Sequence, residues 1–249
     1  MGPVNGSRPV AWIEVGAVLF DLDGVLTPTA VVHMAAWSEL FNGYLAGVDA
    51  EGADTSPYTA DDYYAYVDGK PRYDGVRDLL TARGIALPEG TPGDPPDADT
   101  VCGLGNRKNE AFNAVLARDG VTPYPGSIAL LDLLRDLGTP LAVVSSSANA
   151  PAVLAAAGIA DRFVSVVDGR VAAALGLPGK PAPDTFLHAA RECGVAAADA
   201  VVVEDAVSGV RAGAAGGFRA VVGVDRGAGA EVLRAAGATV VVPDLGDLA

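Results

Sequence analysis

The sequence predicts an α/β protein built on a doubly wound, Rossmann-like parallel sheet, with an all-helical block inserted after the first strand. Two observations carry the sheet. Short β-branched runs recur as continuous apolar segments, the pattern of strands buried on both faces. From residue 122 onward they alternate with Ala- and Leu-rich helical patterns. The third observation concerns residues 31–121, where amphipathic helical patterns follow one another without a strand run.

Taken in order, "VGAVLF" at 15–20 is the first strand. Helical patterns then fall at 31–46, 60–67, 73–83 and 106–118. Two loops interrupt them: "AGVDAEGADTSP" and the Pro-, Gly- and Asp-rich "LPEGTPGDPPDADT" at 87–100, long enough to read as functional or mobile. Beyond them come a helix at 127–138, the strand "LAVVS" at 141–145, a helix at 149–158 and the strand "FVSVV" at 163–167. A helix at 184–194, the strand "VVV" at 201–203 and a helix at 207–216 follow. The strand "AVVGV" at 220–224, a helix at 228–237 and the strand "TVVV" at 239–242 complete the chain. Residues 8–30 and 122–249 are thus expected to form the α/β core domain. Residues 31–121 are expected to form a helical cap domain over the sheet's carboxyl edge, where open α/β sheets bind ligands.

With 249 residues, half of them hydrophobic, the chain can bury a sizeable core. Its net charge of −14 argues against a nucleic-acid surface, which needs clustered Lys and Arg. One locally positive site can still take a phosphorylated small molecule. Cys102 and Cys193 form no CxxC pattern, so neither a disulfide framework nor a cysteine zinc site is expected. No apolar run is long enough to span a bilayer, and the first twenty residues lack a signal-peptide pattern. A cytoplasmic protein with no membrane partner is the expectation.

Four segments concentrate polar groups at strand ends. "VLFDLDGVLTPTA" puts Asp21 and Asp23 behind the first strand. Two such charges ~4 Å apart repel by ~1 kcal/mol in water and ~4 kcal/mol at an effective dielectric near 20. Mg²⁺, which takes oxygen ligands and tolerates phosphate, would offset that; a solvated turn is the plainer alternative. "VVSSSAN" brings Ser145, Ser146, Ser147 and Asn149 to a helix start, where backbone N–H groups and hydroxyls can hold an anion or simply cap the helix. "GKPAPDTF" carries Lys180, one of only three lysines among 17 basic residues, which suggests a site wanting a compact point charge. "VVVEDAVSGVRAG" ends another strand with Glu204 and Asp205. Four carboxylates at one sheet edge make sense around a divalent ion.

In this order, Asp21-x-Asp23-Gly24-Val25-x-Thr27, Ser145, Lys180-Pro181 and Glu204-Asp205 resemble the motifs of the haloacid dehalogenase (HAD) superfamily of phosphotransferases, over about residues 15 to 225. The likeness is to the β-phosphoglucomutase branch in particular. Thr29, His33 and Trp37 match its spacing, "RKN" at 107–109 resembles its cap motif, and "GKPRYDGV" at 69–76 resembles the loop that presents a cap arginine, here Arg72.

The resemblance implies roles. Asp21 would attack phosphorus and form an aspartyl phosphate. Asp23 would exchange a proton with the leaving and accepting oxygens, its main-chain carbonyl joining Asp21, Glu204 and Asp205 around Mg²⁺. Ser145, the Ser146 amide, Asn149 and Lys180 would hold the transferring phosphoryl group. Arg72 would grip a second phosphate, while His33 and Lys108, near the hinge with Thr29, would respond to cap closure. The implied reaction interconverts β-D-glucose 1-phosphate and glucose 6-phosphate. A phosphatase acting on a sugar or cyclitol phosphate, and a non-catalytic phosphosugar-binding module, stay open. Pro28, standing where the branch often has an acidic residue, and the enlarged cap with its "YTADDYYAY" patch depart from the pattern.

Overall fold

The computed structural model describes residues 10–50 and 52–249. The expected start of the core domain at residue 8 lies outside the described residues. Six strands form one sheet: β1 Ala17–Phe20, β2 Leu141–Val144, β3 Ser165–Val167, β4 Ala200–Glu204, β5 Ala220–Val224 and β6 Val240–Val242. The order is β3-β2-β1-β4-β5-β6 and every pairing is parallel. In the centre, Val18 of β1 pairs with Leu141 on one side and Val201 on the other.

The continuous apolar runs follow from burial on both faces. Because side chains alternate along a strand, Val18, Phe20, Val143, Val201 and Val203 enter one hydrophobic cluster. Ala17, Leu19, Ala142, Val144 and Val202 enter the other. Helices α5 Pro125–Asp136 and α6 Ala150–Ala156 close the first face through Leu130, Leu134 and Leu154; α8 Asp184–Glu192, α9 Val207–Ala215 and α10 Ala230–Ala236 close the second through Phe186, Val210 and Leu233. The fold is the expected doubly wound α/β sheet.

Between β1 and α5 the chain is helical, as expected. It forms α1 Thr29–Leu45, a short α2 Ala60–Asp62 that continues as a π-helical segment over Tyr63–Val67, α3 Arg72–Ala82 and α4 Val101–Asp119. These helices share a core of their own, with Trp37, Phe41, Tyr58, Leu79 and Leu104.

Three elements differ from expectation. Helix α4 starts at Val101 rather than 106, because Thr100 caps it by accepting from the Gly103 amide at 2.9 Å. The expected helix at 60–67 is split by the π-helical segment. A helix that the sequence reading lacked, α7 Gly169–Leu175, opens on Asp168, whose carboxylate accepts from the Arg170 and Val171 amides, and closes on Gly176 at φ 64°. The 87–100 segment has no regular structure but is pinned. The Asp94 carboxylate accepts from Thr91 and Thr100, and the Asn106 amide donates to Pro92 and Asp94 carbonyls. Among the described residues no helix is long and apolar enough to cross a membrane.

Candidate active site

The chain runs from β1 outward to β2 and β3, then crosses back to β4, so the crevice beyond the carboxyl ends of β1, β2 and β4 is the fold's ligand position. Asp21 leaves β1 with its amide still bound to the Val203 carbonyl at 2.9 Å. Ser145 follows β2, Glu204 ends β4, and Asp205 comes next. Parallel strands in register bring residues from positions 21, 145 and 204 to one edge.

One oxygen each of Asp21, Glu204 and Asp205 can lie within 4.8 Å of one another. The Lys180 ammonium stands between two of them, donating to Asp21 Oδ1 at 2.5 Å, Glu204 Oε1 at 2.6 Å and the Val144 carbonyl at 2.9 Å. Burial works against this ammonium, yet Asp21 and Glu204 outweigh it and hold the lysine above its ordinary range. Glu204 is saturated: its other oxygen accepts from the Asp205 and Ala206 amides, both at 2.9 Å. Asp205 has no such partner among the described residues. Burial lifts its carboxyl well above the usual value, and the neighbouring carboxylates Asp68 and Glu204 add to that. The Lys180 ammonium thus meets two of the three carboxylates and leaves Asp205 without a counter-charge in contact among the described residues, and the donor set fits a divalent cation.

Two glycines enforce this crowding. A Cβ on Gly24, at φ 87°, would lie 1.8 Å from Asp205 Oδ2, and one on Gly209 would lie 1.6 Å from Glu204 Oε1.

Asp23 is supported differently. The Thr29 hydroxyl donates to its carboxylate, and His33 Nε2 lies 3.4 Å away. Burial alone would raise this carboxyl, but His33, the Thr29 hydroxyl and Lys108 together hold it below its usual value. On its other side the His33 ring contacts the Lys108 ammonium through Nδ1. When Lys108 is protonated it can only donate, which makes Nδ1 the acceptor and leaves the proton of a neutral ring on Nε2, toward Asp23. Burial first, and then Lys108, keeps His33 below its ordinary value, in keeping with a neutral ring. Lys108 itself packs between the Trp37 and Phe112 rings, 5.0 and 5.1 Å from their centroids, and burial pushes it down to about 7.

Asp21, Asp23, Asp205, His33, Arg72, Lys108, Ser145, Ser146 and Asn149 all line one cavity of about 80 Å³. Thr29, Lys180 and Glu204 lie behind that wall, all three buried. The Asn149 amide donates to Asn109 at 2.6 Å, tying the serine-rich loop to α4. Arg72 is the first residue of α3 rather than part of a loop; it donates to Asn106 at 3.1 Å and lies 5.5 Å from the Tyr73 ring centroid.

The cavity also contains residues that the sequence reading missed. Tyr63, Asp68, Gly69 and Lys70 line it from the helical block. Burial, with Glu204 nearby, lifts the Asp68 carboxyl to about 7. Tyr63 belongs to the "YTADDYYAY" patch and Gly69-Lys70 to "GKPRYDGV", but neither segment marks these residues, or Asp68, as facing the cavity.

Comparison with known proteins agrees with this geometry. The family model described as "Hydrolase: haloacid dehalogenase-like hydrolase" matches residues 15–217. A β-phosphoglucomutase of Mycobacterium bovis is 50% identical over 241 residues, covering 94% of this chain and 92% of that one. A β-phosphoglucomutase of Bacillus subtilis is 34% identical over 214 residues, covering 85% and 84%. A crystal structure of β-phosphoglucomutase from Clostridium difficile superposes with a TM-score of 0.75 at 24% identity, over 94% and 93% of the two chains, and shows the shared fold.

Proposed function

Because the chain belongs to the haloacid dehalogenase-like hydrolase family, we propose that it is a sugar phosphomutase interconverting β-D-glucose 1-phosphate and glucose 6-phosphate through an aspartyl phosphate on Asp21. What carries this reading beyond phosphoryl transfer is the line of contacts Lys108–His33–Asp23, which runs from the helical block to a carboxylate at the reacting edge. The identity to proteins named β-phosphoglucomutase points to the same reaction.

In the forward direction, phosphorylated Asp21 gives its phosphoryl group to the C6 hydroxyl of the substrate. Asp23, held as a carboxylate, takes the hydroxyl proton as the new O–P bond forms. The bisphosphate then presents its C1 phosphate. The Asp21 carboxylate attacks that phosphorus, the C1 oxygen leaves with the proton from Asp23, and glucose 6-phosphate departs. Ser145, the Ser146 amide and Asn149 hold the phosphoryl oxygens. Lys180 keeps Asp21 and Glu204 in place, and Glu204, bound to the Asp205 amide, orients Asp205. Arg72 grips the phosphate that is not reacting. Mg²⁺, held by Asp21, Asp205 and the Asp23 carbonyl with Glu204 beside them, would neutralise charge on the phosphoryl group.

Residues 31–121 act in this scheme as the cap. Water is ~55 M and a sugar acceptor millimolar, so preferring the sugar takes more than ~10⁴-fold, about 6 kcal/mol. A cap that excludes water and positions the hydroxyl supplies it. A cytoplasmic location goes with this reading, as do the two free cysteines. The test follows glucose 6-phosphate and free phosphate together, with Mg²⁺, β-glucose 1-phosphate and a trace of the bisphosphate. Product without free phosphate is expected; free phosphate alone would overturn the mutase in favour of a phosphatase.

A further inference from the structure

Loop 68–71 joins the π-helical segment to α3, lines the cavity through Asp68, Gly69 and Lys70, and packs against three loops of the sheet edge. The Ser146 hydroxyl donates to the Gly69 carbonyl at 2.8 Å, and the Ser208 hydroxyl donates to the Asp68 carbonyl at 3.0 Å. Gly69 sits at φ 67°, and a Cβ there would lie 2.2 Å from Ser208 Oγ. Pro71 packs so close to Gly179 that a Cβ on the latter would meet its ring at 2.5 Å. The cavity, about 80 Å³, is far below the ~300–1,000 Å³ of small-molecule sites. A sugar phosphate does not fit this volume, and Asp68, Gly69 and Lys70 of the loop form part of its lining.

We propose that Ser146 and Ser208 form a two-point latch on loop 68–71, and that this latch sets how the phosphoenzyme divides between a sugar acceptor and water. The proposal rests on the mutase reading for its chemistry and on the hydrogen bonds for its mechanism. Both serines are positioning residues: their hydroxyls hold backbone carbonyls of the cap, so a side-chain change in the loop does not substitute for them. Ser146 joins the two events, since its amide belongs to the phosphoryl cradle while its hydroxyl closes the loop. Filling the cradle and shutting out water are then coupled through one residue.

A neutral hydrogen bond contributes about 1 kcal/mol net, about a fivefold change in an equilibrium. The test compares Ser208→Ala, Ser146→Ala and the double variant with the wild-type protein. It reads free phosphate released per glucose 6-phosphate formed, together with amide hydrogen exchange over 68–72. The hydrolysed share is expected to rise about fivefold in each single variant and about 25-fold in the double, with faster exchange confined to that loop. Unchanged exchange would overturn the latch. Faster exchange with an unchanged share would overturn its control of the acceptor. If the wild-type protein forms no glucose 6-phosphate, the mutase reading fails, and with it the acceptor control, while exchange still decides whether the latch exists.

Discussion

Replacing Lys108 by methionine is expected to stabilise the protein and disable it. The ordinary lysine value is 10.5, and burial brings Lys108 to about 7. At ~1.4 kcal/mol per pH unit, holding the ammonium in the folded state costs about 4 kcal/mol near neutrality. Methionine fills the slot between Trp37 and Phe112 without that cost. It leaves His33 Nδ1 without its donor, which costs about 1–3 kcal/mol. The balance is a gain of about 2 kcal/mol at pH 7.

The sign with pH follows from where each state binds the proton. Below about pH 7 both states are protonated and the folded state carries the full penalty. Between about 7 and 10.5 the unfolded chain keeps a proton that the folded chain has lost, so wild-type stability climbs with pH relative to the variant. Urea denaturation of both proteins at pH 6.5, 8 and 10 should show the advantage of Lys108→Met shrinking across that window. Turnover should fall at least ~100-fold, a typical contribution of proton-transfer chemistry once Asp23 loses its support. A stability difference that stays flat with pH, or a stable variant that keeps its activity, would refute the reasoning.

Lys180→Met should destabilise the fold by about 3–5 kcal/mol, because Asp21 and Glu204 lose a buried counter-charge; thermal denaturation measures it. Gly24→Ala drives a methyl into Asp205 and should weaken Mg²⁺ binding about tenfold or more by calorimetric titration, with the far-UV spectrum unchanged. Arg72→Ala should raise KM for β-glucose 1-phosphate at least tenfold while leaving phosphoryl transfer from acetyl phosphate to the enzyme within about twofold, since that donor has no second phosphate to grip.

The sheet was legible because its strands are apolar on both faces, and the site's frame was legible because parallel strands deliver their next residues to a single edge. Asp21, Ser145 and Glu204 needed no more than that. Helix α7 was missed although its signals are present, Asp168 at the start and Gly176 at the end; an Ala-rich heptapeptide has too little amphipathic pattern to stand out. The early start of α4 was hidden by "GLG", which reads as loop. Those glycines serve close packing instead: a Cβ on Gly103 would lie 2.3 Å from the Ala98 carbonyl, and one on Gly105 would lie 2.8 Å from the Tyr73 ring. Asp68 and Tyr63 reach the cavity only through the packing of the helical block on the sheet, for which no local pattern exists. The saturation of Glu204 by Lys180 and two amides was likewise a tertiary fact, invisible in the pair "ED".

The chemistry stands or falls on whether Asp21 carries phosphate. Acid-quenched protein from a reaction with the sugar bisphosphate and Mg²⁺ can be digested and each peptide weighed. A mass increase of one phosphoryl group on the peptide containing Asp21, absent in Asp21→Asn and discharged by added β-glucose 1-phosphate, is the expected outcome. Turnover with that peptide never modified, or with the label on another residue, would contradict it.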